Sequence, residues 1–240
     1  LSGFGRPGAT EMRDAEILTP DATTAAGRPT TLSVCIATFN RGAFIAATIQ
    51  SIASQLVEGV ELLVVDGAST DDTAVVVAPL CAAIPSMRYI RETVNSGVDA
   101  DYDKAVAYAQ GSYCWLMTDD DLLSPGAVAR VLEALRDEPD AVIVNAQVCT
   151  KDFSASLVAR SLPFAQDRAY AGHDEQFLVD CARHLSFIGA VIIRRDRWLE
   201  RERKSYYGTV FIHVGVLYQS PPLARIKMLA DPLIRIRYGN

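Results

Sequence analysis

Beyond residue 30 the chain alternates between two hydrophobic patterns. Short continuous apolar runs occur at Leu32–Thr38, 60–65, Met87–Arg91, Tyr113–Met117 and 141–148. Runs of this length read as strands buried on both faces. Between them the spacing turns helical. Phe44, Ile45, Thr48, Ile49 and Ile52 form one stripe, and Val128, Val131, Leu132 and Leu135 another. A third helix is predicted from Ser69 and Asp72, a capping-box-like start, to Pro79, which should kink or end it. A fourth is predicted over 98–110, with Gly111 at its C′ position. Strands and helices alternating at this spacing define an α/β fold, a mainly parallel sheet with helices on both faces. The pattern weakens after residue 150. There it predicts a strand over 186–193, a helix over 206–218 broken by Pro221 and Pro222, and a closing strand over 233–238. Residues 1–30 are rich in Gly, Pro, Thr and Ala without periodicity and read as a flexible leader. The chain opens without Met and stops on Tyr-Gly-Asn straight after a strand-like run, so the 31–240 domain reads as C-terminally truncated.

The pattern breaks most sharply at residues 113–125, YCWLMTDDDLLSP. A buried strand ends in three consecutive aspartates, and Ser124 as N-cap with Pro125 at the first helical position predicts a helix start. Asp119, Asp120 and Asp121 therefore emerge where the strand reaches the surface. Adjacent carboxylates repel and resist ionising together. On a persisting pleat Asp119 and Asp121 share a face, roughly 7 Å apart, with Asp120 opposed. Hard oxygen ligands in this arrangement suit Mg²⁺ or Mn²⁺; the alternative is a solvated acidic turn.

Charge and cysteines narrow the classes. Residues 1–150 carry 9 Lys and Arg against 20 Asp and Glu, and residues 151–240 carry 14 against 9. An acidic half with a basic half points to a metal-binding end and an anion- or membrane-facing end. Cys35, Cys81, Cys114, Cys149 and Cys181 are widely spaced and form no C-x-x-C pair, which favours a reducing compartment over a disulfide framework. No apolar run approaches the roughly 18 residues that span a bilayer. No G-x-G-x-x-G follows the first strand and no G-x-x-x-x-G-K-[ST] is present, against dinucleotide and P-loop binding. A net charge of −6 without basic–aromatic alternation argues against nucleic acid.

Four motifs stand in order: L-S-V-C-I-A-T-F-N-R (32–41), V-V-D-G-A-S-T-D-D-T (64–73), N-S-G-V-D-A (95–100) and M-T-D-D-D-L-L-S-P (117–125). Together they resemble the family 2, GT-A-type (Rossmann-like) glycosyltransferases over about residues 31–150, and G-V-D-A-D-Y-D-K-A looks most like the abequosyltransferase type of bacterial O-antigen assembly. The resemblance implies a nucleotide-sugar and metal half at 31–150 and an acceptor half at 151–240. It implies a metal-dependent transfer from a CDP-, UDP- or dTDP-sugar to a glycan or lipid-linked glycan, with Mn²⁺ or Mg²⁺ as cofactor. Thr38 and Asn40 would line the base pocket, Asp66 would bond the base or ribose, and Asn95 and Gly97 would shape the wall beside it. Asp103 would lie near the donor sugar. Asp119 would meet ribose or metal, and Asp120 and Asp121 would hold the cation and orient the sugar. Two departures stand out. Thr118 occupies the first position of the usual D-x-D-D, leaving the metal ligand open between Asp120 and Asp121. Gly67-Ala68 follows Asp66 where relatives tend to carry Asp-Gly or Gly-Gly.

Inverting relatives usually supply a base from a Glu-Asp pair at a helix start, and no such pair occurs near residues 200–215. His213 is the substitute candidate, as base or metal ligand, against a structural role on an apolar helix. His173-Asp174-Glu175 is a second candidate, in a loop-like stretch. The dense charges of 194–204 read as a salt-bridged helix face or as a surface for anionic lipid or a lipid-linked diphosphate, with Trp198 at the interface. The implied location is cytoplasmic, peripheral at the inner face of the membrane. Two rivals remain. A sugar nucleotidyltransferase would want a Gly-rich basic loop where this chain has Phe39-Asn40-Arg41-Gly42. A transferase-like domain could also bind nucleotide or glycan without turnover.

Overall fold

The computed structural model describes residues 16–18, 30–171 and 174–239. The predicted leader and His173 thus fall largely or wholly outside the described residues. In chain order the elements are β1 (Glu16–Leu18), β2 (Leu32–Thr38), α1 (Ile45–Ala53), β3 (Val60–Asp66), α2 (Thr73–Ala83), β4 (Met87–Arg91), α3 (Val98–Tyr108), β5 (Tyr113–Met117) and β6 (Leu122–Leu123). The second half adds α4 (Ala127–Leu135), β7 (Ala141–Cys149), β8 (Ser156–Val158), β9 (Arg168–Ala171), α5 (Glu175–Cys181), β10 (Val191–Arg194), α6 (Arg195–Leu199), α7 (Ile212–Leu217) and β11 (Arg225–Arg237).

One sheet runs β1-β4-β3-β2-β5-β10-β7-β11-β6. The strands β4, β3, β2 and β5 are mutually parallel. Strand β10 enters antiparallel between β5 and β7, and β11 lies parallel to β7. The chain leaves β2 toward β3 on one side and finds β5 on the other, so the order reverses between β2 and β5. Ligands of open α/β sheets bind at such a switch point, beyond the strand carboxyl ends.

All of β2 and β3 is buried because their alternate residues feed separate layers. Val34, Ile36, Leu62 and Val64 pack with α1, α2 and α4, while Cys35, Ala37, Leu63 and Val65 pack with α3 and with Phe177, Trp198 and Val216 from the second half. Helices α5, α6 and α7 thus share a face of the sheet with α3, while α4 lies on the other. The five cysteines are buried free thiols, and no disulfide framework joins them.

Several boundaries differ from the sequence reading. Helix α2 continues through Pro79 to Ala83; the carbonyl deprived of its donor belongs to Val75, which is largely exposed, so water can satisfy it. Helix α3 ends before Gly111, whose added Cβ would stand 2.6 Å from Ser33 N. That glycine serves close packing on β2. Helix α4 starts only after Gly126, in the left-handed region, and the Ser124 hydroxyl donates instead to the Pro232 carbonyl at 3.0 Å. The 186–193 segment forms 3-10 turns before β10 begins, and 206–218 is helical only over α7.

Candidate active site

The carboxyl ends of β2 and β5 open into a cavity of about 530 Å³. Its floor is Ala37 and Thr38 from β2. One wall is Thr118 to Asp121 after β5, closed by Ile236 and Arg237 of β11. Asn95, Gly97, Val98, Asp101 and Tyr102 at the start of α3 also line the cavity. Gly97 is at φ 88°, a conformation that glycine adopts without steric cost, and its N–H is held by Asn95 Oδ1 at 2.8 Å.

The acidic wall is short of positive charge. Arg41 Nε lies 3.6 Å from Asp119 and its Nη2 4.0 Å from Asp120. Burial pushes the Asp119 carboxyl up to about 6, with Thr38 and Arg41 acting against it and Asp120 with it. Burial likewise pushes Asp121 up to about 7, although the Thr118 hydroxyl and the Arg237 N–H favour its ionised form. Those two donors reach Asp121 at 2.5 and 2.7 Å. Arg237 also donates to the Asp120 carbonyl at 2.9 Å, and its guanidinium sits over the rings of Phe153 and Phe44 at 4.3 and 5.2 Å. A residue of the closing strand therefore sets the shape of the acidic loop.

Other predicted site residues lie elsewhere. Asp66 is buried, and each of its oxygens accepts one hydrogen bond: Oδ1 from Ser69 N at 2.7 Å and Oδ2 from the Tyr89 hydroxyl at 2.5 Å. Asn40, at φ 55°, accepts from Thr70 N at 2.8 Å and Asp71 N at 3.3 Å, stapling the first loop to the second. Neither lines the cavity. Asp103 faces the second half, where it accepts from Trp198 Nε1 at 2.8 Å and the Tyr207 hydroxyl at 2.6 Å and pairs with Arg203 at 2.7 Å. It is a joint between the halves, away from any donor sugar in this cavity. Thr38 does line the cavity; its buried hydroxyl has no hydrogen-bond partner of normal geometry.

His213 is also displaced from its predicted role. It is fully buried, Nε2 meets the Leu185 carbonyl at 2.8 Å, and it does not line the cavity. Burial holds its pKa below the ordinary imidazole value, which keeps it neutral at pH 7. His213→Gln should preserve the contact with Leu185 and leave turnover within about threefold, whereas removing a general base costs about 10²–10⁴-fold; steady-state rates on a donor and acceptor pair decide. The 194–204 stretch takes the salt-bridged of its two readings. Trp198 is completely buried, Arg194 and Arg197 pair with Asp140, and Arg201 donates to backbone carbonyls. These side chains have their charges and donors engaged within the protein, and Trp198 cannot reach a membrane.

Sequence reasoning gave no role to Arg237 or Asp101 in the site. Arg237 carries no local signal, since its partners in the acidic loop lie 116 and 117 residues upstream. Asp101 had one: acidic residues at 99 and 101 in the first turn of a helix, where the backbone dipole favours them.

The sheet with its flanking helices has the GT-A glycosyltransferase fold. Residues 1–349 of TarS from S. aureus, solved with UDP, match it at a TM-score of 0.69 and 18% identity, over 87% of this chain and 61% of that one. Residues 33–200 match the family model "Glycosyl transferase family 2", and the chain belongs to that family. Abequosyltransferase RfbV of Salmonella typhimurium is 26% identical over 234 residues, 87% of this chain and 67% of that protein. The GalNAc(5)-diNAcBac-PP-undecaprenol beta-1,3-glucosyltransferase of Campylobacter jejuni is 30% identical over 103 residues, 42% of this chain and 33% of that protein. The chain thus spans about two thirds of the first relative's length and a third of the second's. Among the described residues no helix is long and apolar enough to cross a membrane.

Proposed function

We propose that the chain transfers a sugar from a nucleotide diphosphate sugar to a glycan hydroxyl, with a divalent cation at the acidic loop. The observation that carries this is the pairing of Asp119 and Asp121, two desolvated carboxylates short of counter-charge, with a nucleotide-sized cavity at the switch point of the sheet. Among the described residues no three His, Cys, Asp or Glu side chains converge into a ready-made metal cage. Mg²⁺ and Mn²⁺ sites need none: one or two carboxylates suffice when substrate phosphates and water complete the shell. The donor set fits, and Asp119 and Asp121 would hold the ion. The chemistry such an ion supplies is neutralisation of charge on the departing diphosphate. The chain's own part is to present those carboxylates ionised, to fix their loop through Thr118 and Arg237, and to use Asp121 to orient the sugar.

The name of the Campylobacter relative, with its PP-undecaprenol, supports an acceptor glycan carried on a lipid diphosphate, which would bring the enzyme to the cytoplasmic face of a membrane. The test of the donor site is a thermal-shift panel of UDP, CDP, GDP and dTDP, each with and without Mn²⁺. A ligand at a hundred times its Kd stabilises by about 2.7 kcal/mol, or roughly 5–10 °C for a domain of this size. One nucleotide is expected to give that shift only with metal. No shift with any nucleotide would remove the proposal. A second reading, nucleotide binding without turnover, is favoured by the sealed position of His213; metal-dependent donor hydrolysis would exclude it.

A further inference from the structure

A donor needs its base recognised as well as its diphosphate. The acidic loop forms one wall of the cavity, and the start of α3 also lines it. Asp101 belongs to the α3 side of the cavity, where Lys104 pairs with it at 3.4 Å. A nucleoside diphosphate held at Asp119 and Asp121 would extend its base toward that side.

Of the polar side chains gathered where β2, β3 and α3 meet, two are engaged elsewhere. Asp66 accepts from Ser69 and Tyr89, and Asn40 accepts from the following loop through its amide oxygen. Asp101 does face the cavity. Lys104 reaches its Oδ1 at 3.4 Å and is itself held by Glu92 and Ser96, each at 2.9 Å. Its Oδ2 sits over Gly67, where an added Cβ would come within 2.3 Å. Gly67 is not in the left-handed region, so the glycine is there to admit the carboxylate. Its own N–H is tied to the Thr38 carbonyl at 2.9 Å, and Thr38 brings to the same cavity a buried hydroxyl that acts on Asp119.

We propose that Asp101 reads the nucleobase of the donor, its Oδ2 accepting a hydrogen bond from an N–H on the base edge. This rests on the donor-site reading above. A carboxylate only accepts, so it selects a base that presents an imino or amino hydrogen in the direction Lys104 and Gly67 fix. The same chemistry can come from the imino group of uracil or thymine, the amino group of cytosine, or the imino–amino pair of guanine, and the titrated nucleotide distinguishes them.

The experiment is calorimetric titration of UDP, CDP, GDP, dTDP and base-free pyrophosphate, all with Mg²⁺, into the wild-type chain and Asp101→Asn. The wild type is expected to prefer one base. Asp101→Asn should weaken that nucleotide by about tenfold or more, the range for a hydrogen bond to a charged group, and reorder the preference, with pyrophosphate unchanged. Gly67→Ala, which presses on the same carboxylate, should give the same base-selective loss and serves if Asp101→Asn does not fold. An equal loss for all nucleotides and pyrophosphate would make Asp101 structural and overturn the proposal, as would an unchanged ranking in both Asp101→Asn and Gly67→Ala. If the wild type binds pyrophosphate or no ligand at all, and no nucleotide more tightly, the donor-site reading itself fails.

Discussion

Asp121→Asn is expected to lower sugar transfer by about a hundredfold or more, which at roughly 1.4 kcal/mol per tenfold is about 2.8 kcal/mol of lost transition-state stabilisation. The substitution keeps the size of the side chain and an oxygen for the Arg237 N–H, and its amide NH2 can donate to the Thr118 hydroxyl in place of accepting from it, so the loop geometry should survive while the charge is lost. Steady-state rates with saturating Mn²⁺ measure it, and near-wild-type turnover would remove Asp121 from the site. The same carboxylate makes a pH prediction whose sign is fixed. Asp119 and Asp121 stand at about 6 and about 7, against about 3.9 in an unfolded chain. Between about pH 4 and 7 the native state therefore binds more protons than the unfolded state. Their contribution to stability is present in acid and lost as the pH rises through those folded values. Cation binding has the opposite dependence, because it needs both groups ionised. Mn²⁺ should raise the melting temperature little at pH 5.5 and clearly at pH 8. A cation-induced shift that is equal at both pH values would show that these groups do not hold it.

Asp103→Ala should cost stability more than it costs donor binding. Its carboxylate gathers Trp198, Tyr207 and Arg203, and removing one partner of a buried charge pair typically costs about 3–5 kcal/mol. Arg203 keeps some access to water, so about 2–3 kcal/mol is expected here, or roughly 5–10 °C in melting temperature. Donor KM should stay within about threefold, since uniform binding groups are those whose loss raises KM. A variant with wild-type stability and a large rise in KM would return Asp103 to the donor sugar, where the family resemblance puts it. Melting curves and KM on one preparation separate the outcomes.

These two carboxylates show where reading the chain stops. The strands Leu32–Thr38 and Tyr113–Met117 were legible because continuous apolar runs bounded by polar residues have few ways to be buried. The acidic triplet was legible as a site because a strand end exposes it. Composition and motif order reached the GT-A fold and the family, and the cavity formed at the predicted strand ends. What the sequence could not assign was which polar groups remain available. Asp66, Asn40 and Asp103 read as ligand contacts, yet Tyr89, Thr70 and Trp198 engage them. Ser124 read as a helix cap, yet its hydroxyl belongs to Pro232. His213 read as a base, yet it is sealed against Leu185.

Hydrophobic periodicity is a local property, so the sequence by itself determined the strands β2, β3, β4, β5 and β7, most of the helices of the first half, the family and the position of the acidic loop. Hydrogen-bond satisfaction is a property of the folded whole, since each buried donor or acceptor takes the nearest partner in space. Only the tertiary structure therefore decided that Arg237 shapes the loop, that Asp103 joins the halves, and that Asp101 over Gly67 faces the cavity in place of Asp66.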